Sequence, residues 1–231
     1  RRQRQMCIRD RKITDQVRLF KMEDYGERPE DGSNPLKFPA EIGDYLKTCN
    51  VSVYAASGKK GELKSFRIPM LSIVDEKKTI RHGHMPGVND LIMETGMAVD
   101  YSLVQKVSKE VYDIVSQAKT IRVTTDKGTD FTAEFNPDWK WIIADGNIKA
   151  ENWSNLPDGE VFTCAKTVNG NIIIDGVLGD YMTEKFGLIE DTPLRLVVKD
   201  GRIVSVECNN KEIEEEFNSY IKQDENANRI G

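Results

Sequence analysis

Glu160 stands directly after the run Asn155-Leu156-Pro157-Asp158-Gly159 and at the head of the apolar segment Val161-Phe162-Thr163. A Pro-Asp-Gly turn fixes the backbone, and a strand that follows it holds the next side chain in one direction. A carboxylate held this way can ligate a cation, or it can cap the turn and face solvent. Spacing alone favours the solvated or capping role. Asp145 and Asn155 flank the same segment, and Asp145-Gly146-Asn147 is a turn by residue type. Both are candidate supporting residues whose first task is turn formation. The two histidines, His82 and His84, lie in His82-Gly83-His84-Met85-Pro86-Gly87. Alternate residues of an extended segment share a side, so an H-x-H pair can direct two imidazoles at zinc. Two ligands do not make a site, and no Cys, His or Asp cluster lies near them in sequence; a structural or interdomain role is expected. Gly58-Lys59-Lys60-Gly61-Glu62 sits between a strand and a helix as a phosphate loop does. It lacks the G-x-x-x-x-G-K-[ST] pattern, and neither G-x-G-x-x-G nor a nucleophile elbow occurs.

The elements that must position these residues change character along the chain. Residues 39–47 read as a short helix and Val51 to Ala56 as a buried strand. Glu62 to Val74 has a helical pattern that Pro69 kinks or divides. A second short strand is expected at Thr79 to His82 and a helix at Asn89 to Met97. Ser102 to Ala118 is the clearest helix: Val104, Val107, Val111, Ile114, Val115 and Ala118 recur at spacings of three and four, a stripe expected to be core. Asp100 or Ser102 is its expected cap. After Lys119 the period becomes two. Three hairpins are expected: residues 121–125 with 130–135, 161–166 with 172–175 through Asn169-Gly170, and 194–198 with 203–207 through Asp200-Gly201. A charged helix, Lys211 to Lys222, follows. The fold class is therefore an α/β N-terminal domain over residues 12–118, then an α+β, largely antiparallel β-rich domain over residues 119–231.

The formal net charge of the 231 residues is −5. The first eleven residues carry five arginines against Asp10, so the remainder stands at −9. That stretch, Arg1 to Asp10, is what a common transposon-derived sequencing adapter encodes when translated. Residues 1–11 are set aside as a non-native tail. An acidic body without basic stripes argues against a nucleic-acid partner. No apolar run approaches the ~20 residues of a membrane span, and no signal peptide is visible. Cys49, Cys164 and Cys208 are far apart and odd in number, each by a strand-like run; buried reduced thiols and a cytoplasmic location are expected.

Four stretches, Gly61-Glu62-Leu63, His82 to Gly87, Val123 to Asp130 and Asn155 to Thr163, occur in the order found in the thermophilic-type metallo-aminopeptidases, the aminopeptidase T and S group, which the chain resembles over nearly everything after residue 11. In that family the Glu of the LP-x-x-E-V-F-T word, here Glu160, is the first ligand of a two-metal site. Such hydrolases hold two ions ~3.5–4 Å apart so that a shared water ionises near neutral pH. The resemblance implies two divalent ions (Zn, Co or Mn), peptide substrates and a homodimer. It also implies that the remaining ligands and the general base lie beyond Gly231, leaving a fragment that is inactive alone. The first domain would likewise lack its opening strand, exposing a sheet edge near Val51 to Ala55. Gly159 stands where well-studied members often have an acidic residue, and they often have Pro near Ala165; the chain looks closer to a shorter, less characterised branch. A non-catalytic α/β binding or assembly protein on the same fold is the alternative.

Overall fold

A computed structural model of the chain describes residues 16–230. The adapter-like tail, the four residues after it and Gly231 lie outside the described residues. In chain order the elements are α1 (Ala40–Leu46), β1 (Val51–Ala56), a π-turn (Leu63–Arg67), α2 (Ile68–Lys77), β2 (Arg81–Pro86), α3 (Asp90–Glu94) and α4 (Tyr101–Val115). Next come β3 (Thr120–Thr124), β4 (Asp130–Glu134), β5 (Ile142–Ala144), β6 (Ser154–Asn155), β7 (Glu160–Phe162) and β8 (Thr167–Ile174). The chain closes with α5 (Gly179–Phe186), β9 (Leu194–Lys199), β10 (Arg202–Glu207) and α6 (Lys211–Tyr220). Two compact units result. The first takes residues up to Gln105 together with Ala144–Gly159; the second takes Lys106–Ile143 and the residues from Glu160 on. Where the sequence reading draws one boundary near Lys119, the chain passes between units three times, the last time between Gly159 and Glu160.

In the first unit β1 and β2 pair in parallel, from Val51 opposite Arg81 to Ala56 opposite Pro86. A crossover through the π-turn and α2 joins them. Pro69 lies in the first turn of α2, where the helical run passes from the π-turn to α-helix, so the expected interruption by proline falls there. The two residues of β6 add in parallel to the other side of β2, giving the order β1-β2-β6. One face of this sheet carries the core: Tyr54 packs with Phe66, Met70 and Val74 from the π-turn and α2, with Leu36, Leu46 and Ile80 around them. The other face is open at β1, where Val51 and Val53 are each 62% exposed. Parallel sheets usually have both faces covered, so the expected exposed edge at Val51 to Ala55 comes with an uncovered apolar face.

α4 corrects the sequence reading. Asp100 caps it as expected, its carboxylate accepting from the Ser102 N–H at 2.9 Å. The apolar stripe, however, is not core: Val107 is 48% and Ile114 73% exposed, and Ser108 is the helix's buried residue. At 3.6 residues per turn Ser108 lies about 100° round the helix from Val107. The helix therefore turns a different side inward from the one its apolar spacing singles out.

The second unit is built on a five-stranded antiparallel sheet of order β10-β9-β8-β4-β3. The first and third expected hairpins are present. Thr124 pairs with Asp130, and Lys199 pairs with Arg202 across Asp200 (φ 51°) and Gly201 (φ 73°), two consecutive left-handed residues as a tight hairpin requires. The middle hairpin is absent. Asn169-Gly170 does not turn; it lies inside β8, which pairs with β4 on one side and β9 on the other. The segment from Glu160 becomes β7 and pairs with β5 instead. Gly170 has φ 133°, and a Cβ there would lie 2.2 Å from the Asp130 carbonyl oxygen. The glycine serves close strand approach, not a turn. Inward residues Val168, Leu194, Leu196, Val198 and Ile203 meet Met182 of α5 and Ile213 of α6 in one core. Asn210 caps α6, accepting from the Glu212 N–H at 3.0 Å. Cys208 is buried here, Cys49 is half-buried, and Cys164 is exposed, against expectation. Among the described residues no helix is long and apolar enough to cross a membrane.

Candidate functional site

The segment before Glu160 is braced by its own aspartate. One carboxylate oxygen of Asp158 accepts from the Ser154 hydroxyl and from the Gly146 N–H at 3.1 Å, while the other accepts from the Gly159 N–H at 3.1 Å. Asp158 thus ties the Asp145-Gly146-Asn147 turn to the strand start. Asp145 does turn work, accepting from the Asn147 N–H at 3.0 Å. Gly146 (φ 73°) is required: a Cβ would lie 2.3 Å from the Tyr101 ring. Gly159 has φ 150°, a backbone conformation that an acidic residue there would strain. Glu160 then opens β7 with its side chain exposed. One carboxylate supplies one candidate ligand. Asn155 lies on β6 opposite His84 of β2, and the Leu156 N–H donates to the His84 carbonyl at 2.9 Å.

The histidines sit apart from Glu160 in role. Both are fully buried on the core face of β2. His82 Nδ1 lies 2.8 Å from Ser52 Oγ, and His82 Nε2 lies 3.2 Å from His84 Nδ1. Arg67 Nε–H donates to His84 Nε2 at 2.9 Å. Tyr54 stacks on His84 with ring centres 4.9 Å apart, and Trp153 meets both imidazoles edge-on while donating to Asp75 at 2.9 Å. Burial pushes His82 down to about 4. Burial, then the Arg67 charge, pushes His84 down to about 3. Every ring nitrogen has a protein partner, so neither imidazole offers a lone pair to zinc. The pair lies in the first unit's interior.

The Gly58 to Glu62 loop is likewise committed. Glu62 is buried and takes both ends of the Arg28 guanidinium at 2.6 and 2.7 Å. Arg28 also donates to the Ser57 carbonyl at 2.7 Å, and Lys59 pairs with Glu30. Two of this loop's charged side chains, Lys59 and Glu62, are thus held by partners from the preceding loop. Arg28, Ser52, Arg67, Asp75 and Trp153 are residues the sequence reading does not single out. Their partners lie 17 to 78 positions away, and no local spacing signals such contacts. Among the described residues no three His, Cys, Asp or Glu side chains gather to hold a metal ion.

Solved structures share the fold, among them the following two. Wild-type AmpT from Thermus thermophilus aligns with a TM-score of 0.50 at 17% identity, covering 90% of this chain and 61% of its own. The 2,5-dihydroxypyridine dioxygenase from Pseudomonas putida KT2440 aligns with a TM-score of 0.52 at 15% identity, covering 79% of this chain and 49% of its own. The chain thus spans about half to three fifths of the structures it matches, and one architecture carries two different protein names. No curated protein matches the sequence. The model of the thermophilic metalloprotease family (M29) matches residues 102–231, which include the Asp158 brace and Glu160. On that match, which spans more than half of its 231 residues, the chain belongs to the thermophilic metalloprotease family.

Proposed function

We propose that the chain is part of a metal-dependent aminopeptidase that removes N-terminal residues from peptides. The observation that carries the reading is the family match across residues 102–231, with Glu160 held at the head of β7 by the Asp158-braced turn. The family's chemistry requires a divalent metal. The described residues do not fit a complete site, because no group of three ligating side chains exists among them. Glu160 is one ligand of a proposed two-metal centre whose other ligands and general base come from outside residues 16–230. Asn155 and Asp145 shape the backbone that presents it. The working form is a cytoplasmic homodimer; the acidic body and the free cysteines support that setting, and no nucleic-acid or membrane partner is proposed.

The lack of a ligand cluster among the described residues favours one second reading, a binding or assembly protein that keeps the fold without the chemistry. The test is hydrolysis of leucyl-p-nitroanilide by the product of the full reading frame, supplied with Zn²⁺ or Co²⁺. Metal-dependent turnover that disappears in Glu160→Gln supports the aminopeptidase and its ligand together. Absence of turnover on several aminoacyl substrates, from folded and metal-loaded protein, favours the binding protein. Oxygen uptake with 2,5-dihydroxypyridine is the control that the dioxygenase neighbour calls for.

A further inference from the structure

The two buried histidines are the middle of a hydrogen-bonded chain that crosses three elements: Arg67 at the end of the π-turn, His84 and His82 on β2, and Ser52 on β1. Arg67 Nε–H can only donate, so His84 Nε2 must accept, and a neutral ring then carries its proton on Nδ1. That Nδ1–H donates to His82 Nε2. The His82 proton is thereby placed on Nδ1, from which it donates to Ser52 Oγ. The reverse direction fails at the arginine, where a His84 Nε2–H would meet a second donor.

We propose that Arg67 fixes both imidazoles as the Nδ1–H tautomer, and that the resulting one-way chain is a latch, tying the π-turn to the sheet, that one added proton opens. Protonating either ring turns its accepting Nε2 into a donor and breaks one link. It also creates a buried cation near Arg67. The groups facing the pair compensate only in part. Tyr54 from β1 and Trp153 ahead of β6 present rings. Asp75 of α2, which accepts from the Trp153 indole, favours a proton on His82, but burial outweighs it. Glu62, which acts on the Tyr54 phenol, is held by Arg28. The downward push that burial exerts on both histidines agrees with this arrangement.

Arg67 acts as a positioning residue, and the histidine tautomers report it directly. Long-range ¹H–¹⁵N correlation of the imidazoles in the full chain at neutral pH is expected to show Nδ1–H on both. Arg67→Met is expected to give a mixture of tautomers, and Arg67→Lys, which keeps a donor, to restore one. An Nε2–H tautomer or an imidazolium in the wild type, or unchanged tautomers in Arg67→Met, overturns the assignment. An acid titration tests the latch in the wild type even where the variant does not fold. The Trp153 indole N–H signal is expected to leave its native position as the first imidazole protonates; a native signal alongside a protonated histidine overturns the latch.

Discussion

Arg28 reaches Glu62 with two N–H groups at 2.6 and 2.7 Å, and the two side chains are only 8% and 2% exposed. A pair withdrawn this far from water adds little net stability over an apolar pair, but removing one partner strands the other charge. Arg28→Met is therefore expected to cost the first unit about 3–5 kcal/mol, read as a lower urea midpoint at unchanged m-value; an unshifted midpoint would show that Glu62 finds water. The histidines make the opposite demand, since they must stay neutral. His82 is depressed from 6.5 to about 4 and His84 to about 3, so between those values and pH 6.5 the unfolded chain binds more protons than the folded one. Stability then rises with pH through that window and falls as pH drops. The His82 shift alone corresponds to roughly 3 kcal/mol. The chain has only two histidines, so the interval from pH 7 to 5 isolates them. Urea midpoints at those two values should fall with acidity, and a constant or rising midpoint would rule the linkage out.

At the scale of elements, Gly170 tests why one turn signal failed. Its Cβ position is filled by the Asp130 carbonyl and by Phe131 Cα at 2.6 Å. Gly170→Ala must displace backbone in the middle of the sheet, and a loss of at least about 2 kcal/mol is expected in denaturant unfolding. The hairpins β3–β4 and β9–β10 were legible because Lys127-Gly128 and Asp200-Gly201 carry their turn chemistry locally. Asn169-Gly170 spells the same signal but answers to a strand about forty residues away, which local spacing cannot report. α4 was legible as a helix and not as a surface. Periodicity says which side is apolar, whereas what lies over that side depends on the rest of the structure. Ile114→Gln should accordingly change the stability of this chain by no more than about 0.5 kcal/mol; a loss several times larger would mean the stripe is covered after all. Glu160 stood out through the word around it, with spacing alone pointing the other way. The Asp158 brace looked like an ordinary turn because its partners, Ser154 and Gly146, precede it by four and twelve positions.

Taken whole, the molecule joins a family defined by metal chemistry to a set of described side chains that does not gather three ligands. Two of its fold neighbours sharpen the point, for AmpT and a dioxygenase align about equally well at 17% and 15% identity. Architecture at that distance specifies the sheet and helices and leaves the chemistry to the residues placed on them. A tight two-metal centre needs oxygen and nitrogen ligands converging from several elements. The described residues offer Glu160, while both imidazoles are bound into the Arg67 to Ser52 chain. Dialysis of the 231-residue chain against excess Zn²⁺, then against metal-free buffer, is therefore expected to leave much less than one ion per molecule. Glu160→Gln is expected to change that small remainder little. One or two zinc ions retained per chain and lost in Glu160→Gln would mean that acidic groups separate in this structure come together around the metal. Glu160 would then keep its place as a ligand, while the sheet and loops of the second unit would have to rearrange to bring its partners in.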